Sequence, residues 1–137
     1  MVMQKDQYVA LASFRKALRV YLRFVEIGAK EAGLTPQRHQ VLLAIRGRPE
    51  KDWASVGEIA DSLQLQHHAT VGLVDRCQAA GLVERCADPT DRRVVRVSLT
   101  PHGEQILEQL TERNLRELRG LDSLLSELHR SAGGEPK

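Results

Sequence analysis

The chain has 137 residues, about the length of one folded domain, so we expect a single hydrophobic core. Charged residues make up 28% and hydrophobic residues 42%, which excludes a chain that is disordered throughout, and a net charge of +2 by itself identifies no polyanionic partner. The aromatic share of 4% supplies too few rings for a base-stacking platform that binds single-stranded nucleic acid.

Cysteine usage and hydropathy predict a cytoplasmic protein. Two cysteines, Cys77 and Cys86, are too few for a disulfide framework, and the amino terminus shows no apolar segment ahead of a cleavage site. Arg or Glu interrupts every long aliphatic stretch, so no segment is predicted to cross a membrane.

The first half of the chain predicts three helices. Apolar positions at spacings of three and four indicate a long helix from Tyr8 to about Lys30. Thr35 as the cap and Pro36 at the first helical position open a second helix, which Gly47 ends. Ser55 and Glu58 have the spacing of a capping box and open a short third helix.

The second half predicts a helix, a hairpin and a final helical region. The fourth helix covers about His67 to Ala80, and strands at 82–87 and 94–99 flank the turn-forming sequence Asp-Pro-Thr-Asp. Thr100 and Pro101 repeat the cap signature ahead of the last helical region, which a break at 120–122 divides. The tail 133–137 is predicted to be frayed.

This order predicts a mainly α protein with a small β-hairpin wing. Two short helices followed by a hairpin with a basic tip is the arrangement that lays one helix in the major groove of a duplex. The start of the fourth helix offers hydrogen-bonding groups and methyl surface for base edges. These candidates are Gln66, His67, His68, Thr70 and Val71. At the hairpin tip, Arg92 and Arg93 are candidate minor-groove cations, and Asp91 is the candidate brace for one of them.

Residues 35–103 resemble the winged helix-turn-helix of the multiple antibiotic resistance regulator (MarR) family. The strongest motif is Asp-Pro-Thr-Asp-Arg-Arg at 88–93, followed by Val-Val-Arg-Val-Ser-Leu-Thr-Pro-His-Gly at 94–103, which is similar to the family's wing signature. The segments 70–76 and 81–85 resemble the recognition helix, including Arg76, and the start of the wing strand.

The resemblance implies a domain plan and a function. Within one domain, 1–137, it implies a DNA-binding region at 35–100 and helical dimerisation regions at 7–34 and 101–131. It also implies a homodimeric regulator, typically a repressor, that binds a pseudo-palindromic operator in double-stranded DNA. Family members release DNA when a small aromatic or anionic ligand binds. No catalytic motif is apparent, so an enzyme is not expected, and no cofactor is expected.

Other interpretations of the same residues stay open. The alternative function is a winged-helix module that binds protein without specific DNA binding. His67 and His68 also fit a solvated helix start, and Arg92 and Arg93 fit a charged tip that keeps the hairpin soluble. For Arg85 and Arg96, on the strands, a phosphate contact and a surface salt bridge are equally consistent with the sequence.

The input signal has two sets of candidates. Phe14, Arg15 and His39 could form a ligand pocket if the first two helices adjoin, although core or surface residues would look the same. Cys77 and Cys86 are redox candidates, although burial as small apolar groups is the commoner role of such cysteines. The cysteines lack metal-ligand spacing, so no metal site is predicted.

Overall fold

The computed structural model describes residues 2–131 and has a mainly helical fold with one small sheet, as the sequence predicts. In chain order the elements are α1 (Lys5–Glu31), α2 (Pro36–Arg46), β1 (Trp53–Ala54), α3 (Val56–Leu63), α4 (His67–Ala79), β2 (Val83–Ala87), β3 (Val95–Leu99), α5 (Pro101–Leu118), a 3-10 turn (Arg119–Leu121) and α6 (Asp122–Ser131). The predicted frayed tail, 133–137, lies outside the described residues.

The chain forms two compact units. One comprises residues 1–28 and 111–137, of which 2–28 and 111–131 are described, and the other comprises residues 29–110. The second unit contains the whole of the predicted DNA-binding region, 35–100. The boundaries predicted for the DNA-binding and dimerisation regions themselves stay predictions.

Two predicted helix starts are confirmed by their cap hydrogen bonds. Thr35 Oγ1 accepts from the Arg38 amide at 3.1 Å, with Pro36 at the first position of α2. The Ser55 hydroxyl accepts from the Glu58 amide at 3.1 Å, and the Ser55 amide donates to the Glu58 carboxylate at 2.9 Å. These bonds satisfy amides that a helix start otherwise leaves unpaired, so each start is fixed locally.

The sheet contains a short strand in addition to the predicted hairpin. Its order is β1-β3-β2, all antiparallel, with Trp53 opposite Ser98 and Arg85 opposite Val97. The segment between α2 and α3, where the sequence analysis predicts no strand, thus ends in strand β1. Strand β1 is therefore an edge strand of the sheet, and only Ser55 separates it from the start of α3.

The core described for residues 29–110 is built from α2, α3, α4, the sheet and the start of α5. Its largest fully buried apolar side chains are Val41, Leu42, Ile45, Ile59, Val74, Leu82, Val83 and Val97. At the start of α5, a Cβ on Gly103 would overlap the Leu82 carbonyl oxygen. A glycine is required there because the first turn of α5 lies directly against the backbone that leads into β2.

The predicted break in the last helical region is confirmed. The α5 helix ends at Leu118, a single 3-10 turn follows, and α6 begins at Asp122.

Candidate DNA-binding surface

The start of α4 exposes polar side chains. Gln66 is the N-cap residue but makes no side-chain cap hydrogen bond, and His67 and His68 are exposed on the first turn. The first turn carries no acidic residue. A helix start presents unpaired amides and a partial positive charge, so this end of α4 suits a negatively charged partner.

Thr70 requires a correction, because it is fully buried. Its hydroxyl donates to the Gln66 carbonyl at 2.9 Å, and it lies on the buried face of α4 with Leu73, Val74 and Cys77. We therefore assign Thr70 to the core and exclude it from the base-reading candidates. Val71, which the sequence placed at the same helix start, is half-buried.

Arg76, the cation of the segment that resembles a recognition helix, is exposed in the last turn of α4. A cation at a helix C-terminus is favourable because the helix end carries partial negative charge. Its exposure also makes it available to a phosphate.

The wing turn holds Arg93 against Asp91. One oxygen of Asp91 accepts from the Arg93 amide at 3.0 Å and from its Nε at 3.1 Å, and the other oxygen accepts from an Arg93 terminal nitrogen at 3.3 Å. The Arg93 side chain is nevertheless 90% exposed, and Arg92 is exposed beside it. The Arg93 guanidinium holds the pKa of the Asp91 carboxyl below its usual range. Asp91 therefore orients a cation that still faces solvent.

Asp88, which the sequence placed only within the turn, is buried in the wing and accepts several hydrogen bonds there. Its carboxylate accepts from the amides of Thr90 and Asp91 and from the Arg96 guanidinium. The Thr90 amide, followed by Arg96, holds the pKa of the Asp88 carboxyl far below its usual range. An Asp two residues before a hydroxyl residue in a turn sequence was the available signal.

The two strand arginines are both in ion pairs. Arg85 pairs with Asp75 of α4, and Arg96 pairs with Asp88. Of the two interpretations that the sequence left open, the structure shows the salt bridge in each case. Because their side chains are also only 25% and 32% exposed, against 90% for Arg93, we leave both out of the candidate phosphate contacts.

The candidate ligand residues are divided between the two units. Phe14 is half-buried and Arg15 exposed in the unit of residues 1–28 and 111–137, whereas His39 is buried in the unit of residues 29–110. Burial lowers the pKa of the His39 imidazole. The three residues stay a predicted ligand set.

A cavity of about 350 Å³ is present in the unit of residues 1–28 and 111–137. Its lining includes Lys16 and Tyr21 of α1 and Glu117 of α5, and it does not include Phe14 or Arg15. Burial, with a smaller contribution from the Glu117 charge, raises the pKa of the Tyr21 phenol, and its hydroxyl donates to the Asn114 carbonyl at 3.3 Å.

The two cysteines are free thiols in different environments. Cys77 is buried in the core, and burial raises the pKa of its thiol, whereas Cys86 is exposed on β2. A buried thiol with a raised pKa reacts slowly with oxidants, so Cys86 is the better redox candidate of the two.

Residues 2–131 offer neither a cluster of metal ligands nor a membrane-spanning helix. No group of three or more His, Cys, Asp or Glu in that range is arranged to hold a metal ion. The same range contains no helix of the length and apolarity that a bilayer crossing requires.

A helix with an exposed polar start, followed by a hairpin that presents arginines from a rigid turn, defines the winged helix-turn-helix class of DNA-binding domains. The comparisons with known proteins agree. Residues 32–94 match the model of the MarR family. This part of the chain is therefore similar to the winged helix-turn-helix of the MarR family.

Individual known proteins are similar to this chain in sequence or in fold. The chain is 40% identical over 67 residues to the uncharacterized HTH-type transcriptional regulator YsmB of Bacillus subtilis. The aligned residues cover 49% of this chain and 46% of YsmB. The aligned part thus spans about half the length of that relative. AbsC, a MarR family transcriptional regulator from Streptomyces coelicolor, superposes with a TM-score of 0.72 at 19% identity over 96% of this chain and 92% of that one.

A third relative was solved with DNA. A mutant of MepR from S. aureus bound to an oligodeoxyribonucleotide superposes with a TM-score of 0.67 at 19% identity, over 82% of this chain and 80% of that chain. At this identity the likeness shows the fold.

Proposed function

We propose that the protein is a homodimeric transcriptional repressor of the MarR type that binds double-stranded DNA. The observation that carries the proposal is the pairing, within the unit of residues 29–110, of an exposed polar start of α4 with the exposed, braced Arg93 of the wing. The DNA-bound structure of MepR, which shares the fold, supports the choice of partner.

In this proposal the start of α4 enters the major groove. Gln66, His67 and His68 supply donors and acceptors for base edges, and Val71 supplies methyl surface for a thymine. Arg76 contacts a phosphate, which adds affinity without adding sequence information.

The wing enters the adjacent minor groove. Arg92 and Arg93 are the cations that contact it, and Asp91 fixes the direction of Arg93 by accepting three hydrogen bonds from it. A narrow minor groove concentrates negative potential, so a pre-oriented guanidinium suits it.

Dimerisation through the flanking helices, 7–34 and 101–131, is part of the proposal. The unit of residues 1–28 and 111–137 exposes many large apolar side chains on α1, α5 and α6. They are Tyr8, Val9, Leu11, Val20, Leu22, Ile27, Leu115, Leu118 and Leu125. A second copy related by a two-fold axis would bury such a surface and place two reading helices roughly 34–36 Å apart, one turn of a pseudo-palindromic operator.

Release from DNA is assigned to a small aromatic or anionic ligand or to oxidation at Cys86. Phe14 and Arg15 in one unit and His39 in the other stay the separate ligand candidates, and the exposed thiol of Cys86 lies on a wing strand. A cytoplasmic location follows from the proposal, since the operator lies there.

The test is fluorescence anisotropy with labelled duplexes. One duplex carries the DNA that flanks the protein's own gene, a second has a shuffled sequence, and a single strand is the control. We expect tighter binding to the flanking duplex, weak binding to the single strand, and an affinity that falls steeply with salt because phosphate contacts release counterions. Absence of duplex binding at low salt would favour a protein-binding module instead.

Release is measured on the same complex. Candidate aromatic acids and hydrogen peroxide are added separately, with Cys86→Ser as the control for the oxidant. We expect either a ligand that lowers duplex affinity or a peroxide effect that Cys86→Ser abolishes.

A further inference from the structure

We propose that Asp88 is the positioning residue of the wing, linking the turn that carries Arg92 and Arg93 to the edge of the sheet through Arg96 and Trp53. This inference rests on the proposed DNA-binding function and assigns to Asp88 a role in it. Asp88 itself contacts no DNA in this proposal.

The first carboxylate oxygen of Asp88 organises the turn. Oδ1 accepts from the Thr90 amide and hydroxyl, each at 2.9 Å, and from the Asp91 amide at 3.0 Å. The Asp88 amide donates to the Val94 carbonyl at 3.0 Å, and the Val94 amide donates to the Asp91 carbonyl at 3.0 Å, which closes the turn. Five hydrogen bonds therefore fix the backbone from which Arg92 and Arg93 project.

The second oxygen connects the turn to the sheet. Oδ2 accepts from Arg96 Nε at 2.9 Å, and the Arg96 guanidinium lies 4.4 Å from the centroid of the Trp53 ring. Trp53 is on β1, opposite Ser98 of β3. A planar guanidinium can stack on an aromatic face while it donates from its edge, so Arg96 joins Asp88 and Trp53 at the same time.

The Asp88 charge itself works against DNA binding. A carboxylate three residues from Asp91 adds negative charge to a surface proposed to face phosphates, so removal of the charge alone favours the duplex. The side chain is buried and accepts four hydrogen bonds, so its contribution to binding must come from geometry. Loss of the Asp88 charge should tighten duplex binding, whereas loss of its hydrogen-bond geometry should weaken it, so one substitution shows which of the two dominates.

The decisive substitution is Asp88→Asn. The amide oxygen can keep the bonds to Thr90 and Asp91, but the amide nitrogen cannot accept from Arg96. The matched control is Glu84→Gln, which removes the same charge from an exposed position on β2. We expect Asp88→Asn to weaken duplex binding by about five- to tenfold, typical of coupling between contacting residues, and Glu84→Gln to leave it unchanged or tighter.

A double-mutant cycle tests whether the effect passes through the wing arginines. In a background of Arg92→Ala with Arg93→Ala, Asp88→Asn should have no further effect on duplex affinity. Thermal unfolding of each variant checks that it is folded. If Asp88→Asn does not fold, Arg96→Lys replaces it, because lysine keeps the charge but cannot both stack on Trp53 and hold Asp88.

The outcomes separate this inference from the proposed function. If the arginine variant binds duplex as the native protein does, the proposed function fails. If the arginine variant binds weakly but Asp88→Asn matches Glu84→Gln, or weakens binding equally in both backgrounds, the role of Asp88 is overturned.

Discussion

Arg85 of β2 is bonded to Asp75 of α4. Its Nη2 lies 2.8 Å from the Asp75 carboxylate, and its Nη1 donates to Gln78 of the same helix at 2.6 Å. The strand that leads into the wing is therefore tied by one side chain to the helix whose start is proposed to read bases.

This pair should contribute little to stability but more than a fully exposed one. Arg85→Gln should lower the free energy of unfolding by about 1 kcal/mol or less, because the Arg85 side chain is 25% exposed and Asp75 61%. The matched control is Arg116→Gln, which breaks an i,i+4 pair with both side chains exposed and should cost about 0.5 kcal/mol or less. Urea unfolding measures both, and a larger loss for Arg116→Gln would contradict the ranking.

His68 should determine sequence preference. His68→Ala should reduce discrimination between the flanking and the shuffled duplex by about 1–3 kcal/mol, the range for a base-edge contact. The control is His129→Ala, an exposed histidine of α6 that should leave discrimination unchanged. Competition anisotropy with the two duplexes measures the ratio. An equal loss of affinity for both duplexes in His68→Ala would assign the residue to phosphate contact instead.

Gly28→Ala should destabilise the protein although alanine favours helices. Arg113 donates to the Phe24 carbonyl at 3.1 Å and lies 3.8 Å from the Phe24 ring centroid, and a Cβ on Gly28 would overlap its guanidinium. We expect a net loss of about 1 kcal/mol, because Arg113 must give up its hydrogen bond and its contact with the Phe24 ring, and this loss exceeds the gain in helix propensity.

Gly57→Ala in α3 is the control for Gly28→Ala. The nearest atom to a Cβ there is 3.9 Å away, so the change should stabilise by up to about 1 kcal/mol. Thermal unfolding measures the sign of the stability change in both variants. A stabilised Gly28→Ala would show that Arg113 moves aside without cost.

His39 should make stability depend on pH below neutrality. Burial lowers the pKa of its imidazole below the ordinary value of 6.5, so the unfolded chain binds a proton that the folded chain resists. The free energy of unfolding should therefore fall as the pH drops from about 7 to about 5, and His39→Gln should lack this component. Urea unfolding at a series of pH values tests the difference in slope, and identical slopes would contradict it.

Features of the fold that depend on residues close together in the sequence were predictable. The caps at Thr35 and Ser55 are set within three residues, and the break at 120–122 needs no distant partner. Strand β1 was not predicted because its two residues are strand only through pairing with Ser98 and Val97, more than 40 positions later. Such a pairing leaves no local pattern.

In the candidate site, too, contacts between residues close in the sequence were predictable, and contacts between distant residues were not. The Asp91 and Arg93 pair is local and follows from the motif, and the structure shows it. Thr70 was misplaced because its polar side chain near the start of α4 indicated an exposed residue, whereas it lies on the buried face of α4 with Leu73, one turn later. The link from Asp88 to Trp53 spans two strands, so only the folded sheet brings these residues together.

The salt dependence of duplex affinity tests the central claim most directly. Anisotropy titrations over a range of salt concentrations should give, for Arg93→Ala, weaker binding to the flanking and shuffled duplexes alike and a slope of log K against log salt smaller by about 1. Glu84→Gln should keep the native slope. Native affinity and slope in Arg93→Ala would contradict the assignment of the wing to DNA.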